Sequence, residues 1–301
     1  MVLAKKTLDQ LKISPGERIR LSEHDPAWLP EHVRKLPAEA RKSLGKQLLK
    51  SSVEGLASAQ DLLYADDRWS LLVVFQAMDA AGKDSTIKHV MSGVNPQGCS
   101  VTSFKQPSSE DLNHNFLWRT WKAVPARGQI GIFNRSHYEE VLVVKVHPEL
   151  LAAQRIPDVK VNKAFWQSRY DDINEFESHL ARNGTKILKF FLNVSKDEQR
   201  RRFLDRIDDP KKHWKFSQAD LAERQLWDKY QAAYQEAIAA TSTDAAPWYV
   251  IPADRKWAMR AVVADIISTT IQGMDLHYPV LTSADEDHLK AAETSLSAEG
   301  G

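Results

Sequence analysis

Residues 71–86 constrain the fold more than any other part of the chain. A dense apolar run, Leu71-Leu72-Val73-Val74-Phe75, leads through Gln76 and Ala77 into Met78-Asp79-Ala80-Ala81-Gly82-Lys83-Asp84-Ser85-Thr86, and helix-spaced Ile87, Val90 and Met91 follow. A short continuous apolar run suits a strand buried on both faces, as in a parallel sheet. A glycine–lysine pair between such a strand and a helix is the setting of a phosphate-binding loop. Backbone N–H groups converge on an anion, the helix N-terminus adds partial positive charge, and the lysine reaches the outer phosphates. Against the general pattern G-x-x-x-x-G-K-[ST], Ala77 replaces the first glycine and Asp84 the hydroxyl, with Ser85 and Thr86 behind it. The competing reading is a plain strand-to-helix turn; the strand before and the helix after favour the phosphate loop. Ala80, Ala81, Gly82, Lys83, Asp84 and Ser85 are its predicted cradle.

Four more apolar stretches, at 100–105, 130–133, 187–194 and 248–251, repeat the strand pattern. Helical periodicity fills the intervals, as in Trp166, Tyr170, Ile173, Phe176 and Leu180, or Trp227, Tyr230, Tyr234 and Ile238. Strands alternating with long helices predict a five-stranded parallel α/β sheet covered by helices on both faces. Residues 1–37, polar and punctuated by prolines, are expected to form an arm on the body. Residues 38–283 make the main domain, and 284–301, where five acids face Lys290 alone, are expected to be a disordered acidic tail.

Composition narrows the partners. Across 301 residues, 41 lysines and arginines balance 40 aspartates and glutamates, so bulk charge recruits neither nucleic acid nor a membrane. The lone Cys99 rules out an intrachain disulfide and a cysteine-rich zinc site. No apolar window long enough to span a bilayer occurs, and residues 1–6 lack a secretory signal core, so a cytoplasmic location is expected.

The acidic residues of the loop carry the chemistry. A carboxylate about 5 Å from a phosphate charge repels it by about 3 kcal/mol at an effective dielectric near 20. A divalent cation between them removes that conflict. The expectation is Mg2+ held by Asp79 and the bound phosphates, with Asp84 capping the helix. At the end of the third predicted strand, Asn134 offers a neutral oxygen where phosphate-loop enzymes commonly carry Asp, and Arg135 can fork two phosphate oxygens. Residues 196–215 hold eight basic and five acidic side chains. Arg202 and Arg206, one helical turn apart, suit a mobile lid at about 205–218 that closes over phosphates, although a solvated helix face has the same pattern. Trp214 among lysines is too short a stretch for a nucleic-acid groove.

Three segments together, 78–87, 131–139 and 208–215, resemble the polyphosphate kinase 2 family over roughly residues 40–275. The resemblance implies a P-loop kinase fold with a helical lid. It also implies Mg2+-dependent, in-line phosphoryl transfer between inorganic polyphosphate and ADP, AMP, GDP or GMP, and a homodimer or homotetramer. It assigns Asp79 to the metal, Lys83 to the transferred phosphate, Asn134 and Arg135 to the Walker B position, and Arg202 and Arg206 to the lid. Asn134 with Glu139 resembles the class that accepts both mono- and diphosphates. Lys88, Lys105, Lys145 and Arg169 are candidates for tracking an extended polymer. The alternatives are an ATP-dependent nucleoside monophosphate kinase on the same core and a catalytically silent nucleotide- or polyanion-binding scaffold.

Overall fold

A computed structural model describes residues 5–299. The five predicted strands form one parallel sheet: β1 (Ser70–Ala77), β2 (Cys99–Ser103), β3 (Ile130–Asn134), β4 (Thr185–Asn193) and β5 (Trp248–Pro252), in the order β2-β3-β1-β4-β5. Every residue of β1 is buried, as expected of the central strand. Among the described residues eight helices longer than two turns follow in chain order: α1 (Ala38–Asp66), α2 (Lys83–Val90), α3 (Lys163–Arg182), α4 (Lys196–Asp208), α5 (Gln218–Gln225), α6 (Trp227–Thr241), α7 (Lys256–Gln272) and α8 (Ser283–Ala298). The almost wholly buried α7 packs against α1 and α2 on one face of the sheet, while α3 lies on β4 beside α6. The resulting three-layer α/β body has one large core and a small satellite cluster of Leu29, Val33 and Ala258.

This topology positions the site. From the end of β1 the chain leaves toward β2, whereas from the end of the neighbouring β3 it crosses to β4. The C-terminal ends of β1 and β3 therefore bound the crevice where connections part, the usual ligand position in open parallel sheets. The phosphate loop and Asn134–Arg135 sit on these two ends.

At the other edge, the segment 11–13 runs antiparallel to β5. Ile13 N donates to Trp248 O at 2.9 Å and Val250 N to Leu11 O at 2.8 Å. Leu8, Leu11, Ile13, Ile19 and Leu21 enter the core, so this part of residues 1–37 covers an edge that would otherwise offer unpaired backbone groups. The C-terminal expectation is corrected. Residues 283–298 are an exposed helix, because Thr282 and Asp285 form a reciprocal capping box and Asp285 and Glu286 sit at the positive end of the helix dipole. Among the described residues no helix is long and apolar enough to cross a membrane.

Candidate active site

β1 ends at Ala77, and the chain turns through Met78–Gly82 before α2 begins at Lys83. The turn needs unusual backbone angles. Gly82, at the N-cap of α2, has φ +107°, where only glycine is at ease, and Ala80 has φ +59°. Ser85 and Thr86 both donate to Gly82 O at 3.0 Å, which stiffens the first turn of α2. Lys83 folds back to donate to Ala77 O at 3.2 Å, and burial, then the nearby Arg135, push its ammonium below the usual lysine range. Arg135, itself at φ +63°, bridges the two strand ends: Nη2 lies 3.3 Å from Asp79 Oδ1 and Nη1 lies 3.4 Å from Glu139 Oε2. Backbone strain at Ala80 and Arg135 is typical of a site over-determined by its surroundings. Burial raises Glu139 above the usual carboxylate range, against the pull of Arg135 and Lys83.

Asp84 is not the helix cap, since Gly82 holds that position without a side-chain bond. Instead Asn134 Nδ2 donates to Asp84 Oδ1 at 2.7 Å. The two departures from the general pattern, a carboxylate on the loop and an amide on β3, are thus hydrogen-bonded to each other.

The loop opens into a cleft of about 880 Å³ lined by Asp79 to Ser85, Lys88, Lys105, Asn134, Arg135 and, from the predicted lid, Arg206, Lys212 and Lys215. Arg206 Nη1 reaches Lys215 O and Asp220 Oδ2, both at 3.4 Å, so the lid segment is tied to the start of α5. A second cavity of about 440 Å³ adjoins it, sharing Lys105, Gln106 and Arg135. Its walls mix apolar Leu112, Phe116, Val143 and Leu150 with Arg119, Glu140 and His147. Beneath Arg135 and Glu139, the intervening turn is anchored in the core. Fully buried Lys189 donates to Glu177 Oε2 at 2.5 Å, Tyr138 Oη at 2.8 Å and Thr241 O at 2.7 Å.

Two of the predicted phosphate ligands lie elsewhere. Lys145 is held by Glu236 at 2.5 Å and by the Tyr170 hydroxyl at 2.9 Å; Arg169 is held by Glu140 at 3.1 Å and Asp172 at 3.4 Å, over the rings of Phe116 and Phe165. Neither lines the phosphate cleft. Arg202 borders it, but its guanidinium is buried and spent on backbone carbonyls and Glu198 rather than turned to a ligand. Sequence reasoning in turn missed Lys256, which lines the cleft and makes no hydrogen bond or ion pair among the described residues, and Arg260, whose Nη2 lies 3.4 Å from Ser85 Oγ. Isolated basic residues on a helix as apolar as α7 carried no pattern to mark them.

The family model for Polyphosphate kinase 2 matches residues 39–279. The chain belongs to the polyphosphate kinase 2 family. Within that family it is 49% identical over 281 residues to an ADP-polyphosphate phosphotransferase of Rhodopseudomonas palustris, covering 93% of this chain and 95% of the relative. It is 44% identical over 279 residues to an AMP/ADP-polyphosphate phosphotransferase of Meiothermus ruber, covering 93% and 98%. The crystal structure of a polyphosphate kinase 2 from Arthrobacter aurescens superposes with a TM-score of 0.84 at 38% identity, over 97% of this chain and 98% of that one.

Proposed function

We propose that this polyphosphate kinase 2 transfers phosphoryl groups between inorganic polyphosphate and ADP or AMP, with GDP and GMP as further acceptors. One observation carries the reading: a cation-rich cleft over the phosphate loop and a more apolar cavity suited to a nucleoside meet at Arg135. Polyphosphate lies over Gly82 and Lys83 and runs out past Lys88, Lys256 and the lid lysines. The nucleotide lies in the second cavity, its terminal phosphate toward Arg135. The names of its relatives support polyphosphate over ATP as the donor.

The metal is magnesium in this proposal, and the residues suit it. Asp79 is 29% exposed to the cleft and holds only a 3.3 Å contact to Arg135, and Asp84 stands across the same opening. Among the described residues no three His, Cys, Asp or Glu side chains gather into a cage. One or two carboxylates completed by phosphate oxygens and water are what Mg2+ takes, and zinc does not. Bound by Asp79, with Asp84 nearby, Mg2+ supplies charge neutralisation for the transferred group.

The protein's part is alignment. The attacking oxygen of a nucleotide phosphate is already ionised at neutral pH, so no strong base is required. Lys83 and Arg135 hold donor and acceptor phosphates in line and absorb the charge that spreads over the transferring group. Closure of 205–218 over the cleft, bringing Arg206, Lys212 and Lys215 onto the polymer, excludes water that would otherwise hydrolyse it. Assembly as a homodimer or homotetramer, which the family resemblance implies, is tested by light scattering on the purified protein.

The decisive experiment supplies polyphosphate, Mg2+ and ADP or AMP, without ATP, and follows the nucleotide product by ion-exchange chromatography. Wild-type protein forms ATP from ADP and ADP from AMP. Lys83→Ala reduces the rate by about a thousandfold or more with the fold retained. A Lys83→Ala variant turning over at the wild-type rate would sink the assignment.

A further inference from the structure

The carbonyl oxygens of Asp79, Ala80 and Ala81 have side-chain partners from outside the phosphate loop, and those partners come from α4. Arg202, 4% exposed, sends Nε to Glu198 Oε1 at 2.7 Å. Its Nη1 donates to Ala80 O at 3.0 Å and Ala81 O at 2.6 Å, and its Nη2 to Ala253 O at 2.6 Å and Asp254 O at 3.2 Å. A guanidinium has five N–H donors, and here five oxygens receive them, so none remains for a phosphate. One turn earlier on the same helix, Gln199, 1% exposed, donates Nε2 to Asp79 O at 2.9 Å. Three consecutive loop carbonyls, at 79, 80 and 81, are thus drawn toward α4.

A loop that presents backbone N–H groups to an anion must turn its carbonyls the other way, because a flipped peptide would aim an oxygen at the phosphate. Ala80 holds φ +59°, uphill for any residue with a Cβ, so the loop does not hold this shape by local preference. We propose that Gln199 and Arg202 are positioning residues for phosphoryl transfer: they clamp the peptide planes of 79–81 in the phosphate-receiving orientation. The clamp reaches past the lid, since Gln199 Oε1 accepts from Arg224 Nη1 at 2.7 Å and Arg224 also donates to Lys196 O at 2.8 Å. Arg224 belongs to α5, which follows the lid segment, so the seating of that segment is linked to the loop's shape. This inference rests on the loop being the phosphate cradle of the proposed function.

The test compares wild type, Arg202→Lys, Gln199→Leu and Arg206→Lys by hydrogen–deuterium exchange, calorimetric titration with tripolyphosphate and Mg2+, and steady-state kinetics. Arg202→Lys keeps the charge but loses the planar fork. In it, exchange across residues 78–86 rises by about tenfold or more while β1 and α6 keep wild-type protection. Tripolyphosphate affinity and kcat both fall by about tenfold or more, and KM for ADP stays within about twofold. Gln199→Leu shows the same signature in weaker form and carries the test should Arg202→Lys not fold. Arg206→Lys weakens tripolyphosphate binding without changing exchange at 78–86. Unchanged exchange at 78–86 in both Arg202→Lys and Gln199→Leu would overturn the clamp, as would a loss of affinity without local loosening. Exchange needs no turnover, so a wild-type chain with the expected exchange pattern that bound no tripolyphosphate would overturn the proposed function and leave the clamp standing.

Discussion

Asp79 and Asp84 line the same cleft, and their partners differ. Arg135 touches Asp79 at 3.3 Å, a loose contact that a bound cation replaces readily, whereas Asp84 accepts a 2.7 Å bond from Asn134. Asp79→Asn is therefore expected to lower the rate by about a hundredfold and to move the Mg2+ dependence to higher concentration while leaving the melting temperature nearly unchanged. Magnesium titrations of activity check it; an unshifted midpoint would contradict the assignment. At this scale the sequence was partly legible. The turn that carries Asp79, Gly82 and Lys83 was readable because a strand, a turn and a helix follow one another along the chain. Arg202 was misread because its spacing from Arg206 shows that the two share a helix face, and not that the earlier one is pressed against the loop's carbonyls. Lys145 and Arg169 were misread because their partners, Glu236 and Glu140, are 91 and 29 residues away.

Among the elements, the strands were legible because each is a short apolar run and the sheet is buried on both faces. The edge strand was less so: 100–105 was expected, but β2 spans Cys99–Ser103, where Ser100, Val101 and Ser103 are exposed and no residue is fully buried. α8 was missed because the count of acids outweighed a capping box that requires only Thr282 and Asp285. α5 shows how an element beyond 205–218 is tied to the second cavity. His147 Nε2 lies 3.0 Å from Glu223 Oε2, and the Tyr230 hydroxyl donates to the same oxygen at 2.6 Å. The hydrogen bond with Glu223 raises His147 above the usual histidine range. A raised pKa means that the stabilisation is full below the unfolded value, about 6.5, and fades as pH climbs through the folded one. His147→Gln should thus cost up to about 1 kcal/mol near pH 6 and almost nothing near pH 9, read from urea unfolding at the two pH values. A cost that grew with pH would contradict the ion pair.

Across the whole molecule, one buried charge ties the layers together. Lys189 of β4 meets Glu177 of α3, Tyr138 beyond β3 and the carbonyl of Thr241 at the end of α6. With all three ammonium protons used, Lys189→Met takes the cation from Glu177 and leaves its buried carboxylate only the Tyr138 hydroxyl and the His137 ring, at a cost of about 3–5 kcal/mol. Adding Glu177→Leu should recover more than half of that loss in the same unfolding assay; no recovery would show that shape, not charge, dominates there. No periodicity announces such a pair, because it depends on which strand lies beneath which helix.

The strip 11–13 alongside β5 has a temporal consequence as well. Chains leave the ribosome amino end first, and the strand this strip lies against is encoded some 235 codons later. Residues 11–13 are made well before the strand they dock on, so the nascent chain exposes Leu11 and Ile13 until β5 has emerged. Until then that apolar strip is a natural handle for chaperones.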